Sequence, residues 1–317
     1  MKVYLWKLIL GTGCLLAGGF GTRATPLQRG DLPADAAWVV HLDCDRLRST
    51  TIGQYLQSEL NKPEVQAKLA AFQALFSFDL QKQLHGLTLY STGTAPQDGV
   101  LLIYGDFDAE RLLTLAKAAT DYQSFHHNQR VIHSWIDESK KDRPRIYAAL
   151  QGGPGGRLIF GQRQATVAAA LDILDGTVPN LAASKNFPHL GLAGSASALQ
   201  AAARKLDLPD SDPHAVLFRL SKQIRLEIGE ASGQLAGTLT LEANDEEVAR
   251  HMAAIAQGLV ALLKLQNKPE ATKVAEAISI KQQGASVVST LSLPAADVVN
   301  MMKADAAKKA ARKAQDK

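Results

Sequence analysis

The best candidates for metal ligands in this sequence are three histidines. His126, His127 and His133 fall in a stretch, 122–137, that predicts a β-hairpin, with Trp135 beside them. Imidazole nitrogens are common ligands of zinc and copper. Adjacent residues of a strand point to opposite faces, so only one of His126 and His127 can face His133. Spacing places no carboxylate or cysteine to complete such a site. The three histidines are therefore the metal-ligand candidates of this chain, and surface positions without a metal are the favoured interpretation.

Two other motifs have residue types used in catalysis or phosphate binding. The glycine-rich stretch 152–156 lacks the Gly-Lys-Ser/Thr of a phosphate loop, and it precedes a predicted strand where a phosphate loop would precede a helix. Ser195 and Ser197 lie in Gly-Ser-Ala-Ser, which has no glycine at the fifth position that a nucleophile elbow requires. A helix cap is the favoured role for either serine. No catalytic or cofactor-binding residue is predicted, and an enzyme is the less favoured class.

The elements that would position these residues alternate between paired strands and helices. Residues 36–42 predict the first strand, and a helical hairpin follows it. Two strand–strand–helix units then occur, each followed by a second strand pair: 84–118 with 121–136, and 223–265 with 277–293. The short connections between strands favour antiparallel pairing. The predicted fold class is α+β, with antiparallel sheets, helices packed mainly on one face, and two related halves built from repeated ββα-ββ units.

Apolar stripes predict which side of each unit's helix faces the sheet. Because residues three and four apart share a helix face, five residues are expected to point inward: Leu112, Leu115, Met252, Ile255 and Leu259. The ordinary structural interpretation of these stripes is a filled core, and the alternative is an apolar ligand beneath the helices. Between the two units, 196–206 predicts a helix and 214–220 predicts a strand.

The first 24 residues have the pattern of an export signal. Lys2 and Lys7 supply positive charge, 8–16 is an apolar stretch too short and broken to span a membrane, and small residues end at Ala24. We expect cleavage after Ala24 and a periplasmic or secreted protein. Lipidation of Cys14 is a less favoured alternative. The expected parts after residue 24 are an N-terminal α+β half, a C-terminal α+β half and a basic Ala/Lys-rich tail: 25–176, 177–302 and 303–317.

Charge argues against a nucleic-acid partner. The formal charge is +4, and removal of Lys2, Lys7 and Arg23 with the signal leaves 4 − 3 = +1. One cysteine remains after such cleavage, Cys44, so an internal disulfide is not expected. No segment after the signal is long and apolar enough to predict a transmembrane span.

A resemblance to known proteins rests on three stretches of the sequence. The mature chain opens Leu-Pro-Ala-Asp-Ala at 32–36, continues to Val39 and Asp43, and is followed by Leu47-Arg48-Ser49 and by Gly53 and Leu56. The phrases DGVLLIYGDFDAERLL and DILDG, the latter at 172–176, complete it. Together they resemble a diffuse group of exported bacterial proteins of unknown function. The resemblance implies an envelope protein, and it implies no catalytic residue.

The function these observations favour is a non-catalytic exported protein that binds a protein or other envelope partner. An exported hydrolase with an unrecognised site and a binder of an apolar or lipid ligand are the alternatives. The oligomeric state stays open.

Overall fold

A computed structural model describes residues 25–315 except 152, 192–195, 205–214 and 267. The predicted signal segment, Cys14 and Ser195 lie outside the described residues. The α+β fold class is confirmed, because the described residues form one antiparallel sheet of twelve strands with helices packed against it. No helix in the described ranges has the length and apolarity needed to cross a membrane.

The twelve strands follow one another in the sheet in the order β11-β12-β10-β9-β8-β1-β2-β3-β7-β6-β5-β4. Their bounds are β1 Trp38–Asp43, β2 Leu84–Ser91, β3 Val100–Phe107, β4 Gln123–His127, β5 Arg130–Ile136, β6 Arg145–Gln151, β7 Gly153–Gly161, β8 Ser197–Ala203, β9 Gln223–Ala231, β10 Gln234–Glu242, β11 Ile278–Gln283 and β12 Ser286–Pro294. The α-helices are α1 Cys44–Arg48, α2 Thr51–Leu60, α3 Pro63–Phe76, α4 Ala109–Lys117, α5 Gln164–Leu174, α6 Ala215–Leu220, α7 Glu246–Lys264, α8 Pro269–Glu276 and α9 Ala295–Gln315.

Alternation along the strands divides the sheet into two faces. In β1, Val39 is fully buried whereas Val40 is 38% exposed, as expected when successive side chains point to opposite sides. The Val39 face carries a buried core in the N-terminal part of the sheet. That core includes Leu102 and Ile159 from the strands and Val167 and Leu171 from α5.

The opposite face carries most of the remaining helices. Leu101 pairs with Phe160, and both pack with side chains of α3 and α4. Further along the same face, Leu241 pairs with Val287 beneath α7, whose Met252 is fully buried there. These contacts are what apolar stripes on α4 and α7 predict.

The repeat predicted from the sequence is not confirmed in its proposed form. Strands β11 and β12, the pair after the second unit, lie beside β10 as expected. The matching pair was predicted at 121–136, but that hairpin, β4–β5, lies at the far edge of the sheet, and β3 pairs with β7 instead. Both hairpins after β3 have strand-like alternation, and local pattern does not determine which of them pairs with β3.

Two local predictions between the halves were wrong. The alanine-rich segment predicted as a helix at 196–206 forms β8, which pairs with β1 and β9 in the middle of the sheet. The segment predicted as a strand at 214–220 contains helix α6. Its Leu217 is buried beside α7. In both cases tertiary packing overrides intrinsic propensity, which is only a weak predictor of secondary structure.

Candidate functional site

A cavity of about 630 Å³ lies between the sheet and the helices α3 and α4. Its floor is formed by strands β5, β6 and β7, because His133 pairs with Ala148 and Ala148 pairs with Phe160, which places all three on the helix-bearing face. Apolar side chains dominate the lining: Leu75, Phe76, Leu112, Leu115, Ala116, Trp135, Ile136, Ala148, Leu150, Leu158 and Phe160. An apolar space of this size is typical of small-molecule sites.

Helix α4 forms the roof of the cavity. Asp108 caps the helix by accepting a hydrogen bond from the Arg111 amide at 2.9 Å, as its position before an amphipathic segment predicts. The Arg111 guanidinium donates to the Leu75 carbonyl at 2.8 Å, which ties the roof to the end of α3. No residue of α4 is fully buried. Leu112 and Leu115 do face the sheet as predicted, but they line a cavity as well as packing against the core.

The floor holds one titratable group, His133. Its Nδ1 atom lies 2.9 Å from the Tyr122 hydroxyl, and the two rings stack with centroids 6.0 Å apart. Burial lowers the pKa of His133 below its usual value, and the Lys117 ammonium lowers it further. The imidazole is therefore neutral near pH 7 and presents a polar but uncharged group to an apolar space. Trp135 packs edge-on against Phe160 beside it.

Polar side chains collect where the loop 137–143 meets the cavity. One oxygen of the Asp137 carboxylate accepts hydrogen bonds from the Ser139 amide at 3.0 Å and hydroxyl at 2.6 Å. The other oxygen, Oδ2, is shielded from solvent and accepts no hydrogen bond from any described residue. At the rim, Arg143 and Glu138 form an ion pair at 2.9 Å, with both side chains 57% exposed. The cavity thus has an apolar interior and a polar end.

The three predicted metal-ligand candidates do not converge. Ser124 pairs with His133 and His126 pairs with Val131, so His126 and His133 share one face at diagonal positions, while His127 lies on the other. There, His127 Nε2 is 2.8 Å from an oxygen of Asp172. Within the described ranges, no three His, Cys, Asp or Glu side chains come together to hold a metal ion.

A second polar cluster was not predicted from the sequence. His85 lies between two carboxylates, with Nδ1 3.1 Å from Asp45 and Nε2 3.1 Å from Asp106. Arg48 also pairs with Asp45. Asp106 accepts a further hydrogen bond at 3.0 Å from the amide of Gly155, whose φ of +71° suits glycine. The sequence favours a strand connection for the glycine-rich stretch, but its described residues, 153–156, form the start of β7, where Asp106 of β3 holds the Gly155 amide.

This cluster favours a charged imidazole. Hydrogen bonds to Asp45 raise the pKa of His85, partial burial opposes the shift, and Asp106 reinforces it. A general base must be neutral to accept a proton, and two facing carboxylates favour the charged form of the imidazole. Asp45 lies 40 positions before His85 and Asp106 lies 21 positions after it, and no known sequence motif has this spacing.

Comparison with known proteins finds little. No family model matches the sequence, and no curated protein sequence matches it. Among solved structures, crystal form III of TP0453 is similar over 90% of this chain and 100% of that chain, at 10% identity and a TM-score of 0.46. Crystal form I of TP0453 covers 89% of this chain and 99% of that chain, at 10% identity and a TM-score of 0.45. A likeness at this level assigns no function to the chain.

Proposed function

We propose that this chain is an exported, non-catalytic protein that binds an elongated apolar ligand, such as an acyl chain with a polar end, between α4 and strands β5–β7. The cavity of about 630 Å³ carries the proposal. Its volume falls within the roughly 300–1,000 Å³ usual for small-molecule sites, which are mostly apolar with a few polar groups that fix orientation. The sequence alone favours a protein or other envelope partner, with a hydrolase and an apolar-ligand binder as alternatives, and the cavity supports the apolar ligand.

The polar groups of the cavity support binding over hydrolysis. The His133 imidazole contacts the Tyr122 hydroxyl. In the usual hydrolases a histidine instead activates a serine or cysteine nucleophile. The Ser139 hydroxyl donates its proton to Asp137, and no histidine of the described residues accepts it. Arg143 and Glu138 at the rim offer a donor and an acceptor for the polar end of a ligand.

A fluorescent long-chain fatty acid provides the binding test. We expect saturable binding with enhanced fluorescence, displaced by unlabelled acyl chains. The variant Ala148→Trp places a large side chain on the cavity floor and should weaken binding by at least about tenfold. The control Ala254→Trp, on an exposed position of α7, should bind as the wild type does. Absence of saturable binding, or equal affinity in Ala148→Trp when its circular dichroism matches the wild type, would contradict the proposal.

The order of strands supports a second element of the proposal, that the two halves are related. Outward from the central pair β1 and β8, one side runs β2, β3, β7, β6 and the other runs β9, β10, β12, β11. Helix α4 follows β3 on one side, and helix α7 follows β10 on the other. In this matching β4–β5 is an addition to the N-terminal half. Superposition of 84–117 on 223–264 tests it, and a difference in strand direction between the two would contradict it.

A further inference from the structure

Thr25, the first residue after the predicted cleavage point, is held by three buried polar side chains. Its amide N–H donates to Asp43 Oδ1 at 3.4 Å, and its hydroxyl donates to Asp45 Oδ2 at 3.3 Å. Its carbonyl oxygen accepts a hydrogen bond from His41 Nε2 at 3.0 Å. Two residues later, Leu27 is buried in the core beside α5. The backbone of residue 25 is thus fixed against the ends of β1 and α1.

The two carboxylates around Thr25 differ in how well they are neutralised. The side chains of Asp43 and Asp45 are 3% and 6% exposed. Asp45 pairs with Arg48 and with His85, whereas the nearest described cation to Asp43 is Arg46, at 3.9 Å. A carboxylate buried beside a like charge costs folding free energy unless a cation lies close to it. Burial raises the pKa of Asp43, hydrogen bonds from the Arg46 and Thr25 amides oppose the rise, and the charge of Asp45 adds to it.

We propose that cleavage after Ala24 creates a new ion pair, in which the α-ammonium group of Thr25 binds the carboxylate of Asp43 and completes the folded state. Hydrolysis of the 24–25 peptide bond consumes one water, leaves the carboxylate on Ala24 and leaves the amine, protonated near neutral pH, on Thr25. An amide offers one N–H to Asp43. An ammonium offers three, and it places a positive charge on the Thr25 nitrogen, 3.4 Å from Asp43 Oδ1 and so closer to this carboxylate than the Arg46 guanidinium at 3.9 Å.

The proposal links processing to stability. The ion pair forms only when folding brings residue 25 to the end of β1. A precursor that keeps the peptide bond would lack this cation. We therefore expect processed protein to be more stable than protein whose N-terminus lies elsewhere. This inference rests on the export signal of the proposed function, and it is independent of the cavity.

An insertion variant gives a matched comparison. The full chain is produced in a bacterial host that exports it, with and without one glycine inserted between Ala24 and Thr25. The insertion keeps the residues before the cleavage point and moves the amine about 3.8 Å along the chain. N-terminal sequencing identifies both products. We expect the insertion to lower the Tm by about 4 °C. In an Asp43→Asn background, the same insertion should change the Tm by much less.

Reactivity of the amine gives a second measurement that does not depend on the variant's stability. In the folded processed protein, the Thr25 α-amine should react with an amine-selective acylating reagent at least about tenfold more slowly than it does in urea. The proposal would be overturned if the Tm were the same with and without the glycine, or if the insertion lowered the Tm as much in the Asp43→Asn background as in the wild type. A fully reactive amine would overturn it as well. A mature start other than Thr25 would overturn it too. Fatty-acid binding should be unchanged by the insertion, so failure of this inference is distinguishable from failure of the cavity proposal.

Discussion

His127 and Asp172 join the edge hairpin to the helix α5, with the imidazole Nε2 2.8 Å from a carboxylate oxygen. The contact lies on the face of the hairpin opposite His133, which lines the cavity. One histidine of the adjacent pair 126–127 is thus used in packing the hairpin against a helix. The geometry separates three residues that the sequence places within one short stretch.

Metal removal should therefore leave the protein unchanged. We expect elemental analysis of native protein to find no stoichiometric zinc or copper, and chelation to leave the Tm unaltered. The variants His126→Ala and His133→Ala are the matched pair for this measurement, because they lie at diagonal positions on one face. Stoichiometric metal that is lost in either variant would contradict this expectation.

Acid should destabilise the protein through His41. This residue is 1% exposed, and burial lowers its pKa to about 4, opposed by the hydrogen bond to the Thr25 carbonyl. Between pH 6.5 and 4 the unfolded chain binds a proton that the folded chain does not, so stability falls as the pH falls through this window. The full loss is about 3 kcal/mol. In urea unfolding, the free energy of unfolding should fall less between pH 6.5 and 4 in His41→Gln than in the wild type. The exposed control His251→Gln should show the same fall as the wild type.

His85 should act in the opposite direction. Its pKa is raised in the folded state, so its contribution is fully present below the unfolded pKa near 6.5 and is lost as the pH rises through the raised folded value. The difference in unfolding free energy between wild type and His85→Gln should therefore shrink from weakly acidic to alkaline pH. A difference that stays constant across this range would show that the imidazole carries no charge between Asp45 and Asp106.

Substitutions on α7 test which side of that helix packs on the sheet. Met252 is fully buried, and Met252→Asp should lower the free energy of unfolding by about 4 kcal/mol, because it buries a carboxylate without a partner. Ile255 is partly buried, so Ile255→Asp should cost about half as much. Arg250→Ala, on a side chain that is 70% exposed, should stay within about 0.5 kcal/mol. A small effect at Met252 in urea unfolding would contradict the packing.

Export predicts a defined mature N-terminus. N-terminal sequencing of native protein should begin at Thr25, after the small residues that end at Ala24. Recovery of protein that retains Met1 would contradict export by this signal, and recovery of a lipidated Cys14 would favour the lipoprotein alternative.

Much of this fold is determined by local sequence pattern. Alternation of apolar residues predicts β1 and the strand pairs, and 3.6-residue periodicity predicts α4 and α7 with their inward sides. The caps are local too, since Asp108 accepts from an amide only three residues away. Each of these features depends on interactions between near neighbours in the chain, which a short window of sequence contains.

Only the tertiary structure decides how the elements combine. Local pattern leaves open that β3 pairs with β7 and that the alanine-rich segment 197–203 becomes a central strand, because pairing depends on competition among all strands. The same holds for His85, whose carboxylate partners come from α1 and β3. The stripe of Leu112 and Leu115 fits a filled core and a ligand cavity equally well. The cavity between α4 and the sheet depends on distances between elements far apart in the chain, which no short window of sequence contains.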